Sequence, residues 1–125
     1  MSKKFYVCEH CGNIIEKVKD SRVPVFCCGQ KMKELVPNTV EASGEKHKPV
    51  AGVMDGIVRV NVGSVDHPMV EAHYIEWLYL ETENGGQFKY LKPDEAPYAE
   101  FALGNEKPVA VYAYCNLHGL WKTDL

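Results

Sequence analysis

No run of the 125-residue chain stays apolar for the roughly 20 residues that a membrane-spanning helix needs, so no helical membrane contact is expected. Positive charge is not in excess either. Fourteen Lys and Arg face seventeen Asp and Glu, a net charge of −3, which gives no electrostatic basis for binding nucleic acid or an anionic membrane surface. The first residues, Met1-Ser2-Lys3-Lys4-Phe5-Tyr6-Val7, meet charge and then a cysteine too early to form the apolar heart of a signal peptide. The expectation is a cytoplasmic protein whose thiols stay reduced. Internal repeats, low-complexity tracts and a convincing helical period are all missing. Cysteine is scarce beyond residue 28, where only Cys115 occurs. The total of five is odd, and Cys8, Cys11, Cys27 and Cys28 crowd the first 28 positions. That skew argues against a disulfide framework and for one four-cysteine metal site plus a separate thiolate.

With 46% hydrophobic and 25% charged residues, the chain has the composition of a globular protein and the length of one domain, or of one small and one medium domain. Two parts are expected. Residues 1–36 hold short β-prone pieces at Phe5-Tyr6-Val7, Asn13 to Val18 and Val23 to Phe26. Such a segment cannot bury enough apolar surface to fold without a staple, and a metal held by Cys8, Cys11, Cys27 and Cys28 would supply one. Gly12 and Gly29, each directly after a cysteine, let the backbone curl so that amide groups point at sulfur. Cys8 and Cys11 form a C-x2-C hook, whereas Cys27 and Cys28 are adjacent and must distort the tetrahedron. Four thiolates suit zinc or a single iron, and these residues alone do not decide between them. His10, inside the hook, reads as an exposed side chain.

Residues 37–125, opening with a polar connection over 37–48, read as all-β. Val58, Val60 and Val62 alternate on one face of Ile57–Val62. His73 to Thr82 is aromatic and branched, with Ile75, Trp77 and Tyr79 on one side and Leu78 and Leu80 on the other. Asn84-Gly85-Gly86 marks a turn before Phe88 to Leu91. Tyr98 to Leu103 and Val109 to Cys115 complete the strands. Short strands at this spacing predict a β-sandwich. Parity places Cys115 on the same face as Val109, Val111 and Ala113.

Four of the five histidines and the isolated cysteine fall at strand ends or loops of this part: His47, His67, His73, Cys115 and His118. One sulfur and four nitrogens suit a redox iron with an open position better than a structural zinc. A thiolate pushes electron density toward a ligand bound opposite it. The set is therefore suited to give one electron to a small anion such as superoxide. Lys46, beside His47, is a candidate for attracting that anion, and Glu45 for occupying the open position when no substrate is present.

At these residues the sequence resembles the desulfoferrodoxins, two-iron superoxide reductases of anaerobic and microaerophilic microbes. The resemblance spans nearly the whole chain. It rests on C-x2-C with the adjacent Cys27-Cys28, on Glu45-Lys46-His47-Lys48-Pro49-Val50, on Gly63-Ser64-Val65-Asp66-His67-Pro68-Met69, on His73 with Trp77, and on Cys115-Asn116-Leu117-His118-Gly119. It implies a desulforedoxin-like domain over 1–36 with an iron on Cys8, Cys11, Cys27 and Cys28, and so favours iron over zinc there. It implies an immunoglobulin-like sandwich over 37–125, with a second iron held equatorially by His47, His67, His73 and His118 and axially by Cys115. It further implies reduction of superoxide to hydrogen peroxide without oxygen release, a rubredoxin-like electron donor and a homodimer. The departures are mild: Asp66 sets an acid beside His67, and Leu120 fills a variable place before Trp121.

Overall fold

The structure, a computed structural model, describes residues 3–125. Met1 and Ser2, on which the first expected domain opens, lie outside the described residues. The chain divides between Val36 and Pro37 into two compact units.

The first unit contains β1 (Phe5–Val7), β2 (Ile14–Glu16), β3 (Phe26–Cys27), β4 (Gln30–Lys31) and β5 (Lys33–Leu35). β1 runs antiparallel between β2 and β5, and β3 and β4 form a separate two-residue hairpin. Its deeply buried apolar side chains among the described residues are Phe5, Cys8 and Met32. Val23 to Val25, expected as strand, is irregular and only Phe26 of that stretch pairs. Pro24 lacks the N–H that a ladder needs.

The second unit is a seven-stranded sandwich. A four-residue helical turn, α1 (Gly44–His47), leads into β6 (Pro49–Met54), β7 (Ile57–Val62), β8 (Ile75–Thr82), β9 (Gly85–Tyr90), β10 (Tyr98–Ala102), β11 (Pro108–Cys115) and β12 (Gly119–Asp124). One sheet has the order β10-β7-β6 and the other β12-β11-β8-β9, with antiparallel pairing throughout. Val58, Val60 and Val62 from one sheet meet Leu78, Leu80, Val111, Ala113 and Cys115 from the other, which is the all-β sandwich core that the alternation predicted.

One expected face is corrected. Ile75 joins Leu78 and Leu80 in the core rather than Trp77 and Tyr79. The register with β11 slips between Tyr114↔Trp77 and Cys115↔Ile75, and this bulge inverts parity at the start of β8. The inversion turns the chain just ahead of β8, where His73 sits.

Candidate metal centres

In the first unit Cys8, Cys11, Cys27 and Cys28 converge, their sulfurs all lying within 4.8 Å of one another. No disulfide joins them. Cys11 Sγ and Cys27 Sγ are 3.6 Å apart, and Cys27 Sγ and Cys28 Sγ 3.9 Å. Two bonds of about 2.3 Å meeting at a tetrahedral angle would set sulfurs roughly 3.8 Å apart, so the spacing fits one thiolate-bound ion. The Cys11 backbone N–H points at Cys8 Sγ (3.5 Å) and the Asn13 side-chain amide at Cys27 Sγ (3.7 Å). The N–H donor nearest Cys8, that of Cys11, leads in pulling its thiol pKa down to about 6, while hydrogen bonding to its neighbours, Cys11 first, pushes Cys28 up to about 12. Sulfurs this close repel one another once charged, a condition that a bound cation relieves. Gly12 and Gly29 take φ of +85° and +72° as the curl requires, and Cys28 itself is left-handed at φ +52°. That conformation, costly for a side chain with a Cβ, is how two adjacent cysteines reach one point.

In the second unit the sandwich gathers residues from four places in the chain. His47 ends α1, His67 follows β7, His73 precedes β8, and Cys115 and His118 end β11 and open β12. Ligand atoms of His47, His67, His73 and Cys115 all lie within 4.8 Å of one another. His118 joins them through Nδ1, which is 3.0 Å from His47 Nε2 and 3.9 Å from Cys115 Sγ. The four rings form a closed circuit: centroids are 4.6 Å apart for His47–His67, 4.7 Å for His67–His73, 5.1 Å for His73–His118 and 4.8 Å for His118–His47. Each ring stands at 75–88° to the next. The diagonal His47–His73 is 6.2 Å, longer than every edge. Cys115, fully buried, lies on the core side.

The ring nitrogens that face this centre follow from hydrogen bonding. A carbonyl oxygen only accepts, so Nδ1 of His47, 2.7 Å from the Ser43 carbonyl, carries a proton, as does Nδ1 of His67, 2.6 Å from the Pro68 carbonyl. Both leave Nε2 with its lone pair. His67 Nε2 and His73 Nε2 are buried without any hydrogen-bond partner. Orphaned buried acceptors are rare, and two aimed at one locus together with a thiol are what a bound cation explains. Burial pushes the His67 pKa down to about 4 and lowers those of His47 and His73, keeping the imidazoles neutral and able to ligate. The 3.0 Å between His47 Nε2 and His118 Nδ1 is the separation two bonds of about 2.1 Å at a right angle would give. Burial raises the Cys115 thiol, an effect opposed by the backbone N–H groups of Leu117 and His118.

Two residues outside the expected set hold this site. Trp121 stacks on His47 (5.0 Å, 30°) and donates its indole N–H to the His118 carbonyl (3.1 Å). Gly63, at φ +82°, lies directly against α1: a Cβ there would come within 2.3 Å of the Glu45 carbonyl oxygen and 2.6 Å of Lys46 Cα. The Val65 N–H (3.0 Å) and the Ser64 hydroxyl (3.3 Å) donate to that same carbonyl. The glycine in a motif that otherwise displays His67 was the available signal for this packing. Gly63→Ala is expected to destabilise the second unit by about 2–4 kcal/mol through left-handed strain and backbone clash, and to weaken metal retention by displacing His47. A urea titration with a wild-type midpoint and full metal content would contradict this.

Glu45 and Lys46 lie exposed on α1, next to buried His47. His10 is exposed, and Asp66 accepts from the Asn61 amide (2.9 Å).

A tetrathiolate cluster on one β unit, and a ring of imidazoles over a buried thiol on another, define a two-centre metalloprotein. Sequence models of the family agree with both halves: "Desulfoferrodoxin, N-terminal domain" matches residues 2–35 and "Desulfoferrodoxin" residues 39–124. The desulfoferrodoxin of Desulfarculus baarsii is 45% identical over 119 residues, covering 95% of this chain and 94% of its own. That of Nitratidesulfovibrio vulgaris is 44% identical over 121 residues, covering 97% and 95%. The solved superoxide reductase of Treponema pallidum superposes with a TM-score of 0.83 at 35% identity, covering 99% of this chain and all of that one. The chain belongs to the desulfoferrodoxin family, and its two donor clusters are two iron sites.

Proposed function

We propose that the chain is a superoxide reductase, converting superoxide, one electron and two protons to hydrogen peroxide without releasing oxygen. The observation that carries this reading is the closed ring of four imidazoles with a buried thiol on its core side. His47, His67 and His73 through Nε2, His118 through Nδ1 and Cys115 through Sγ hold the second iron. Cys8, Cys11, Cys27 and Cys28 hold the first, which divides the chain into an iron-tetrathiolate domain (1–36) and a catalytic domain (37–125, entered through 37–48). Iron bound in the ring would supply the single electron.

The protein's own groups do the rest. Neutral imidazoles add no charge to the site, and hydrogen bonds from Nδ1 fix the rings of His47 and His67. Residues 37–125 carry thirteen acidic and seven basic side chains, a field that repels an anion. Lys46, exposed beside His47, provides local attraction against that field. Glu45, its neighbour on α1, is the side chain we assign to covering the open face between turnovers. Protons come from solvent.

Pulse radiolysis of the reduced protein tests the reading. Superoxide should vanish in proportion to protein concentration, with peroxide and no oxygen formed; decay at the spontaneous rate would overturn it. Lys46→Ala is expected to slow this bimolecular step roughly tenfold and to flatten its fall with ionic strength, because a steering charge acts through a screened field. An unchanged rate and salt slope would remove Lys46 from the mechanism. A rubredoxin-like donor, a homodimer and a cytoplasmic location complete the reading, supported by the family resemblance. Reduction of the oxidised protein by rubredoxin and its sedimentation mass test the first two.

A further inference from the structure

His73 differs from His47 and His67 in how its ring is held. His47 and His67 each anchor Nδ1 on a backbone carbonyl. The Trp121 indole N–H donates to the backbone carbonyl of His118, which holds that residue's backbone. Neither ring nitrogen of His73 has a hydrogen-bond partner among the described residues, and its Nε2 is buried as well. It also lies outside regular strand, two residues before β8, in an isolated bridge with Val70 (2.9 and 3.1 Å). A ring with two free torsions and no hydrogen bond of its own takes its direction from the backbone beneath it.

That backbone is gripped on both sides of His73 by one residue. Asn116 Oδ1 accepts from the Tyr74 N–H (3.0 Å), Asn116 Nδ2 donates to the Ala72 carbonyl (3.1 Å), and the Asn116 backbone N–H donates to the Tyr74 carbonyl (3.3 Å). The three bonds flank His73 without touching it. They begin where the β11–β8 ladder stops, at Cys115↔Ile75 after the bulge, so the side chain carries the pairing on after the backbones part. Of the common side chains of this size, only a primary amide offers an acceptor to an N–H and a donor to a carbonyl from one rigid plane. Asn116 is itself next to Cys115 and two residues before His118. One side chain thus ties the strand entry bearing His73 to the loop bearing two other members of the ring.

We propose that Asn116 is a positioning residue that does for His73 what the carbonyl hydrogen bonds do for His47 and His67, and so sets how tightly the ring holds iron. This rests on the reading of His73 as a ligand of the second iron. Changes behind a metal ligand typically cost about 10–100-fold in affinity. Asn116→Ala should therefore release second-site iron to a competing chelator 10–100-fold more readily and shift the charge-transfer band of the oxidised centre, while the tetrathiolate iron of the same molecules is retained. Asn116→Asp keeps the Tyr74 bond but sets an oxygen against the Ala72 carbonyl. Its effect should have the same direction, and this near-isosteric change serves if the alanine variant fails to fold.

A double-mutant cycle with His73→Ala separates positioning from general support. Adding Asn116→Ala, or Asn116→Asp, to His73→Ala should change iron affinity little further, since the ring being positioned is gone. Fully additive losses, or Asn116 variants with unaltered affinity and band, would overturn the inference. A His73→Ala protein that holds iron as tightly as the wild type would overturn the ligation reading itself.

Discussion

Cys115→Ser is expected to abolish the thiolate-to-metal charge-transfer absorption of the oxidised second centre. Cys115 is fully buried on the inner face of β11 among Val111, Ala113 and Ile75. Serine is close in shape, so the strand and its register survive, at a cost of about 1–3 kcal/mol for a buried hydroxyl with incomplete hydrogen bonding. What disappears is the soft donor. Burial holds the Cys115 thiol pKa above its ordinary value, and the N–H groups of Leu117 and His118 only partly offset that. Left to itself the group would stay a thiol. A cation held among the imidazoles would make it a thiolate able to donate charge to that cation. Serine oxygen, much harder to ionise, gives no comparable band and weakens the push toward the open position. The cleanest measurement is made with zinc in the first site, because its filled d shell adds no visible thiolate band. Survival of the band would show that Cys115 is not the sulfur ligand.

The cysteines and histidines that cluster were legible in the sequence, and so was most of the scaffold. Alternation in Ile57–Val62 and in Val109–Cys115 gave two strands and placed Cys115 on the core face, because a sheet side chain follows a period of two wherever pairing is regular. Where pairing is irregular the same logic misled. Ile75 was expected beside Trp77 and Tyr79 but packs with Leu78, since a bulge adds a residue on one strand and leaves no mark in the pattern. β6, with Pro49 and Gly52, and β12, opening on Gly119, carry residues that argue against strand; both are edges of their sheets, where these residues are tolerated. The four-residue helical turn at Gly44–His47 is too short to show a period. The grip of Asn116 and the contact of Gly63 with α1 join residues 42 and 17 positions apart at closest, and only folding brings them together.

Loss of metal from the first site is expected to unfold the first unit and leave the second intact. The first unit buries Phe5, Cys8 and Met32 while Val18, Val23 and Phe26 stay largely exposed. Three-residue strands and a two-residue hairpin offer few backbone hydrogen bonds against the conformational entropy of some 36 residues at about 1–2 kcal/mol each. A unit of that size seldom folds on its own core, and a structural metal binds with an apparent free energy on the order of 10 kcal/mol, large enough to decide the balance. Cys8→Ser tests this without stripping the second iron, whose proposed ligands all lie between His47 and His118. Cys8 is the most buried of the four sulfur residues, and its sulfur accepts the Cys11 N–H. Amide hydrogen exchange should then show residues 3–36 losing protection together while Val58, Leu80 and Val111 keep theirs. Retained protection at Phe5, Val7 and Leu35 would mean that β1, β2 and β5 fold without the metal. In that case the four cysteines serve electron transfer alone, and the small core around Phe5 and Met32 is stronger than its size implies.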